Sequence, residues 1–354
     1  MTYKSWGGPL ARGQSLRRPP GFGKALNPRA GSGFRRIRAD REARPRISVL
    51  LLLALCCSLP AAPPKSASQI LKVPVWADAN QDPPLSAKDL SATVAGSASR
   101  VVDVRGPADN LILIAVLDLA GDLSLAEPAK DALAGEIGKL PPRVAVGVMR
   151  AQDGPKVLAD PAADRAPAVA AVRNLPVSGK AGLVDTVETV TTLADSILAK
   201  SGVRVAVLYV TDSDAENYRE DFTNPVINSS DTHDLSRRFP EALIQDKISK
   251  VAAVMAERRA PLFVVHLRYR SDRLGESYQN GLKQLAEVTG GSAIFCRSSE
   301  EIADAIHRAV TSIASSYSVS VALPERLPKI VQVQLDAGGK CSLTYRTRFV
   351  MKER

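Results

Sequence analysis

The chain is poor in the residues that carry most metal and redox chemistry. Of its 354 residues only four are Cys and three are His, too few Cys for a disulfide-dense scaffold. Neither CxxC nor HExxH occurs, which removes the usual zinc spacings. No GxGxxG opens a helix after a strand, and Gly179-Lys180 lacks the upstream Gly of a phosphate loop, so nucleotide binding has no motif behind it. A membrane-length apolar run is missing too. Ile47–Cys57 (ISVLLLLALCC) is about half of the roughly 20 residues that a spanning helix needs, and Pro60, Pro63 and Pro64 cut it short.

Positive charge is present in excess, but it is local. The net charge is +10, and residues 1–46 hold twelve Lys/Arg against Asp40 and Glu42, which accounts for all of it. The other 308 residues carry 35 basic and 35 acidic side chains. A neutral body argues against a nucleic-acid partner, because such binding rests on a basic surface. Residues 1–46 are Gly/Pro/Arg-rich without an apolar period and read as a disordered leader. Arg41, Arg44 and Arg46, then the apolar Ile47–Cys57, then the small residues of Ser58–Pro64 make the three-part pattern of a secretory signal over 47–62. The expectation is a secreted or periplasmic protein with no integral membrane span after cleavage. An uncleaved anchor and lipidation at Cys56 or Cys57 are the alternatives, although Leu55 stands where a lipoprotein signal carries a small residue. Cys296 and Cys341 then remain, expected as two buried free thiols rather than a pair.

The body divides into 69–106, 107–316 and 317–354. The first part is short and β-like, with strands predicted at Ile70–Ala77, Ser91–Ala95 and Arg100–Val104. The second alternates buried runs with amphipathic segments. Strands are expected at Leu111–Leu117, Val144–Met149, Val203–Val210, Leu262–Leu267 and Ser292–Cys296, with a hairpin return at Lys156–Ala159 after Asp153-Gly154. Helices are expected at Leu125–Leu140, Gly182–Lys200, Phe239–Arg259, Glu276–Thr289 and Ser299–Ser315, the second with an apolar face at Leu183, Val187, Val190, Leu193 and Ile197. Gly290-Gly291 suits a left-handed helix cap. The fold class is therefore α/β: a doubly wound, mostly parallel sheet of about six strands with an antiparallel edge strand. Tyr317–Leu323, Ile330–Leu335 and Ser342–Val350 alternate again, and with the first part they form a small β module.

Ligands of such sheets bind beyond the carboxyl ends of the strands. Asp118-Leu119-Ala120-Gly121-Asp122, Ser178-Gly179-Lys180-Ala181-Gly182-Leu183-Val184-Asp185 and Thr211-Asp212-Ser213-Asp214 lie there. This order, with the edge hairpin, resembles a von Willebrand factor type A domain. Leu285–Phe295 (LAEVTGGSAIF), followed by a helix into Tyr317-Ser-Val-Ser-Val-Ala-Leu-Pro, resembles more specifically the VWFA-related family found in acidobacteria. The resemblance spans roughly Ile70–Arg348 and implies a secreted protein with β segments flanking the α/β domain. It also implies a metal-ion-dependent adhesion site of the form Asp-x-Ser-x-Ser, Thr and Asp, whose hard oxygens suit Mg²⁺ and whose open position takes a partner's carboxylate. Asp118 and Asp212 match its two Asp. Ala120 and Asp122 replace the two Ser, Ala181 stands where the Thr belongs, and Ser178 falls three residues early.

The leading expectation is a non-enzymatic, exported domain that binds another protein through this rim, at Ser178, Ser213 and Asp214 and through the irregular stretch Asn217–Arg238, with a degenerate metal site and no cofactor. In a second reading Asp118, Asp122 and Asp212 hold Mg²⁺ or Ca²⁺ by charge; otherwise Asp118 and Asp122 cap the following helix. A third reading is metal-assisted hydrolysis at the same three Asp. Asp212-Ser213-Asp214 is similar to the Asp-x-Asp of haloacid-dehalogenase-like phosphatases, but it follows an interior strand and precedes Glu216, which departs from that pattern. His266 reads as a core residue, His307 lies on the last helix, and His233 sits in the irregular stretch, so no Ser or Cys has a His partner in sequence.

Overall fold

The computed structural model describes residues 69–78, 84–218 and 240–351, all within the compact unit Ala62–Arg354. The leader, the signal-like run and most of Asn217–Arg238, including His233, lie outside the described residues. Among those described, no helix is long and apolar enough to cross a membrane.

Four short strands come first: β1 (Ile70–Ala77), β2 (Ser91–Val94), β3 (Ser97–Ser99) and β4 (Val101–Arg105). The α/β part follows as β5 (Leu111–Asp118), α1 (Leu123–Lys139), β6 (Val144–Arg150), β7 (Lys156–Ala162), α2 (Ala166–Arg173), α3 (Leu183–Lys200) and β8 (Arg204–Thr211). It continues with α4 (Pro240–Met255), β9 (Leu262–His266), α5 (Arg273–Thr289), β10 (Ala293–Phe295) and α6 (Ile302–Ser315). The end is again all β: β11 (Tyr317–Ala322), β12 (Ile330–Asp336), β13 (Leu343–Tyr345) and β14 (Arg348–Val350).

The central sheet has the order β10-β9-β8-β5-β6-β7. All its pairings are parallel except β6 with β7, the antiparallel edge expected from the Asp153-Gly154 turn, where both residues take positive φ (56° and 99°). A parallel strand is covered on both faces, which is why β5 is an unbroken apolar run. Leu113, Ala115 and Leu117 point to a core shared with α1, α2 and α6. Ile114 and Val116 point to a second core with α3, α4 and α5.

The two chain ends build one β module. β1 pairs antiparallel with β11 and β2 with β12, giving two four-stranded sheets, β13-β1-β11-β4 and β14-β12-β2-β3. Between them lies a third core that includes Val73, Val75, Val94, Val319, Val331 and Val333. Trp76 ties the module to the α/β part: its Nε1 donates to Ser312 O at 2.9 Å, and its ring meets Phe263 edge-on at 5.9 Å.

Four details correct the sequence reading. Ser342–Val350 is two strands, because the chain turns at Arg346 and crosses from the β1 sheet to the β12 sheet. Leu193 is 42% exposed; buried Thr191 fills the inner stripe of α3 instead, its hydroxyl donating to Val187 O and to Met255 Sδ. Helix α2 carries no strong apolar period to announce it; only Ala168 and Val172 are buried. Cys296 and Cys341 are both free as expected, but only Cys296 is buried.

Candidate functional site

The parallel strands end at one rim, and the three expected carboxylates meet there in different bonding roles. Asp118, the last residue of β5, is fully buried. Its Oδ1 accepts from Gly182 N at 2.8 Å, and its Oδ2 accepts from Leu183 N at 3.0 Å and Thr211 Oγ1 at 3.2 Å. The two amides open α3, so this carboxylate holds the positive end of a helix dipole. Burial pushes its pKa up to about 6 against the pull of those amide bonds. Asp212, just past β8, accepts from the amides of Ala120 (2.7 Å), Asp122 (3.1 Å) and Gly121 (3.3 Å), fixing the loop that enters α1. Asp122 caps α1 by accepting from Ser124 N and Ser124 Oγ at 3.1 and 2.6 Å.

Beneath the rim runs a chain of hydroxyls. Thr211 Oγ1 lies 2.6 Å from Ser213 Oγ, which lies 3.1 Å from Tyr278 OH. Ser213 is therefore fully buried, and this corrects its expected place on a partner-facing surface: it supports the rim from below. Asp214 is also nearly buried, its carboxylate 2.9 Å from Arg270 Nη1. Ser178 is exposed in the loop before α3.

His266 lies beside Ser213, but its Nε2 meets the Ser213 carbonyl at 2.7 Å and not the hydroxyl. Its buried Nδ1 has no partner among the described residues, and burial lowers its pKa. It therefore holds the loop and does not activate a nucleophile. His307 Nδ1 lies 3.1 Å from a Glu136 carboxylate oxygen, well away from the rim.

The donor set offers fewer side-chain oxygens than the Asp-x-Ser-x-Ser, Thr and Asp pattern that the resemblance implies. Ala120 and Ala181 pack with the second core and offer no side-chain oxygen, while the lone pairs of Asp118 and Asp212 already face backbone N–H groups. Among the described residues, no three His, Cys, Asp or Glu are placed to hold a metal ion.

The outward face of the rim is made by residues that the sequence reading passed over. Leu123, the first residue of α1, is 60% exposed, and Tyr269 is 40% exposed. Arg297 stacks its guanidinium 5.6 Å from the Tyr269 ring. Arg268 stands half-exposed, 3.9 Å from Asp122. Arg270 gathers Asp214, Glu216 and Asp272. The available signal was Arg268-Tyr269-Arg270 directly after a buried strand, at the same rim as Asp212.

A six-stranded, mostly parallel sheet with one antiparallel edge, helices on both faces and its polar loops at the carboxyl ends is a doubly wound α/β fold, consistent with the expected von Willebrand factor type A-like fold. No family model and no curated protein matches the chain. Among solved structures it is similar to von Willebrand factor type A from Catenulispora acidiphila, at 15% identity and TM-score 0.41 over 82% of this chain and 76% of that one. It is also similar to the conserved hypothetical protein BatB from Bacteroides thetaiotaomicron, at 16% identity and TM-score 0.37 over 58% of this chain and 99% of that one. The vWF domain of the type V pili tip protein Mfa5 from Porphyromonas gingivalis matches at 13% identity and TM-score 0.39, over 58% and 95% of the respective chains. At such scores these likenesses add nothing to the fold that the strand order itself defines.

Proposed function

We propose that this is an exported, non-enzymatic domain that binds another protein through its strand-end rim without a divalent cation. One observation carries the reading: the rim's acids are engaged by the loops they organise, whereas its apolar and guanidinium groups face outward. Asp118, Asp122 and Asp212 each accept from backbone N–H groups of the loops they organise. Leu123, Arg268, Tyr269 and Arg297 stand at the surface beside them. Tyr and Arg dominate the energetic centres of protein interfaces, because each combines a large contact area with a directed polar group. The export part rests on the signal pattern at 47–62.

The test is capture of a partner from the secreted fraction of the native host, using the full chain. Recovery in EDTA, lost in a Leu123→Asp, Tyr269→Ala double variant, is the expected result. Recovery that requires Mg²⁺ supports the metal-dependent reading through Asp118, Asp122 and Asp212 instead. Phosphate-ester hydrolysis abolished by Asp118→Ala supports the hydrolase reading.

A further inference from the structure

The carboxyl ends of four neighbouring strands carry one row of side chains on a single face of the sheet. The register sets Asp118 of β5 beside Thr211 of β8, Thr211 beside His266 of β9, and His266 beside Phe295 of β10. Residues two apart on a strand share a face, and Val116, Tyr209, Val264 and Ala293 all pack in the second core. The row therefore lies on the side of α3 and α5. The chain just after β8 is bonded onto it: Ser213 Oγ lies within hydrogen-bond distance of Thr211 Oγ1 and Tyr278 OH, and the Ser213 carbonyl meets His266. A 3₁₀ turn follows at Ala215–Tyr218, where Tyr218 OH accepts from Val184 N at 3.2 Å.

His266 is the member of this row whose hydrogen bonding is unfinished. Its Nε2 faces the Ser213 carbonyl at 2.7 Å. A carbonyl can only accept, so Nε2 carries the proton and Nδ1 the lone pair. That Nδ1 is buried without a partner among the described residues, and the residue is 1% exposed. From α5 the Tyr278 phenol ring flanks the imidazole at 6.2 Å, and from β10 the uncharged Phe295 ring at 5.7 Å. Asp212 and Asp214, on the loop after β8, favour an imidazolium. Asp212 is held by three amides, however, and Asp214 and Glu216 pair with Arg270. Beyond the strand Arg268 pairs with Asp122, and Asp118 lies two strands away across Thr211. A second ring proton would add a charge and a donor where neither water nor an acceptor is at hand. Burial outweighs the two carboxylates and keeps the ring's pKa below the ordinary 6.5.

We propose that His266 is an acid-sensitive latch on the rim: protonation of its ring releases the loop Asp212–Tyr218. The ring gains its second proton by reaching water, and that movement breaks the bond to Ser213 O. The loop stands between outward groups of the rim. Asp212 fixes the amides of Ala120–Asp122 ahead of exposed Leu123, and Asp214 holds Arg270 next to exposed Tyr269. Loosening the loop disperses both groups, so a partner held near neutral pH is let go in weak acid. This regulation rests on the reading of the rim as the binding face.

The experiment is amide hydrogen exchange of the full chain, without a partner, at pH 7 and pH 5, with the intrinsic pH dependence of exchange divided out. The amides of Ser213, Glu216 and Asn217 are bonded within the loop, to Thr211 Oγ1, Asp214 Oδ1 and Asp214 O. Their opening equilibria are expected to rise several-fold at pH 5, to at most about thirtyfold, the ratio in which an ordinary imidazole is protonated there. The β6 amides keep their pH 7 protection, which separates loop release from global unfolding. His266→Gln retains a donor toward Ser213 O but does not titrate, and it removes the pH dependence. If that variant does not fold, NMR titration of the wild-type imidazole decides: His266 takes up its proton over the range in which the loop amides lose protection. Unchanged loop protection at pH 5, the same loss in His266→Gln, or an imidazole that titrates without loop release overturns the latch. The readout uses no partner, so a flat exchange profile strikes the latch alone, whereas failed partner capture strikes the binding reading alone.

Discussion

The two ends of the central sheet handle charge in mirror-image ways. At the carboxyl ends of the strands the acids sit on backbone N–H groups: buried Asp118 on the start of α3, buried Asp212 on the loop that enters α1, and part-exposed Asp122 on the first turn of α1. At the amino ends buried Arg204 and part-buried Arg346 and Lys72 sit on helix-closing carbonyls. Arg204 donates to Ala314 O in the last turn of α6, to Ser316 O just beyond it and to Asp109 O in the turn before β5, at 3.1, 2.7 and 2.9 Å. Arg346 donates to Arg258 O and Ala256 O beyond α4, and Lys72 caps α3. Each side chain answers the partial charge of a helix terminus. The difference lies in what is left over. At the rim Asp118 and Asp212 each accept three hydrogen bonds, so they exert little pull on a cation. At the amino ends Arg259 has the Met351 sulfur as a hydrogen-bond partner and the Asp195 carboxylate as an opposing charge.

Breaking either end tests this comparison. The largest effect is expected from Arg204→Met at the amino end, which strips carbonyl acceptors of a buried guanidinium and should cost about 3–4 kcal/mol, read from urea denaturation. Asp118→Asn at the carboxyl end should cost about 2–3 kcal/mol at neutral pH, because an amide NH₂ then faces the Gly182 or Leu183 N–H. A loss well under about 1 kcal/mol in either variant would mean that the backbone dipoles are not what stabilises these charges.

A pH series sharpens the contrast further. The native pKa of Asp118 is raised to about 6 from an ordinary 3.8, so between those values the folded state holds a proton that the unfolded state has released. This group's stabilising contribution is fully present below about 3.8 and is lost as pH rises through about 6. His266 works in the opposite sense. Burial holds its native pKa below the ordinary 6.5, so its contribution is lost as pH falls through and below that value. Asp118→Asn removes only the first effect. The stability of wild type relative to this variant should therefore rise by about 2–3 kcal/mol between pH 7 and pH 4; a flat difference would refute the buried-carboxylate account. The smallest expected effect is that of metal. About 5 mM Mg²⁺ or Mn²⁺ should move the thermal midpoint by less than about 1 °C, since a ligand without a native-state site adds no stability. A shift of many degrees would restore the metal-dependent reading.

The sequence carried the α/β layout because burial on both faces turns a parallel strand into an apolar run, and Leu111–Leu117 and Val203–Val210 end at the two acids that reach the rim. It did not carry what those acids bind. The amides that Asp118 holds lie 64 and 65 residues further on, and Ala120 N lies 92 residues before Asp212; composition and period contain no trace of such pairings. Leu193 shows the same limit. Its spacing fits an inward stripe, and only the approach of Met255 reveals that Thr191 takes the inner place.

The sequence by itself determined the strand order's raw material, the antiparallel edge at Asp153-Gly154 and the left-handed cap at Gly290, all set by local periodicity or by the backbone conformation a residue tolerates. The tertiary structure alone decided that Ser213 is buried, that Ser342–Val350 splits between two sheets, and that Asp195 reaches the amides of Arg259 and Ala260. Those outcomes depend on which distant backbone groups arrive beside a side chain, and that is fixed only when the layers pack.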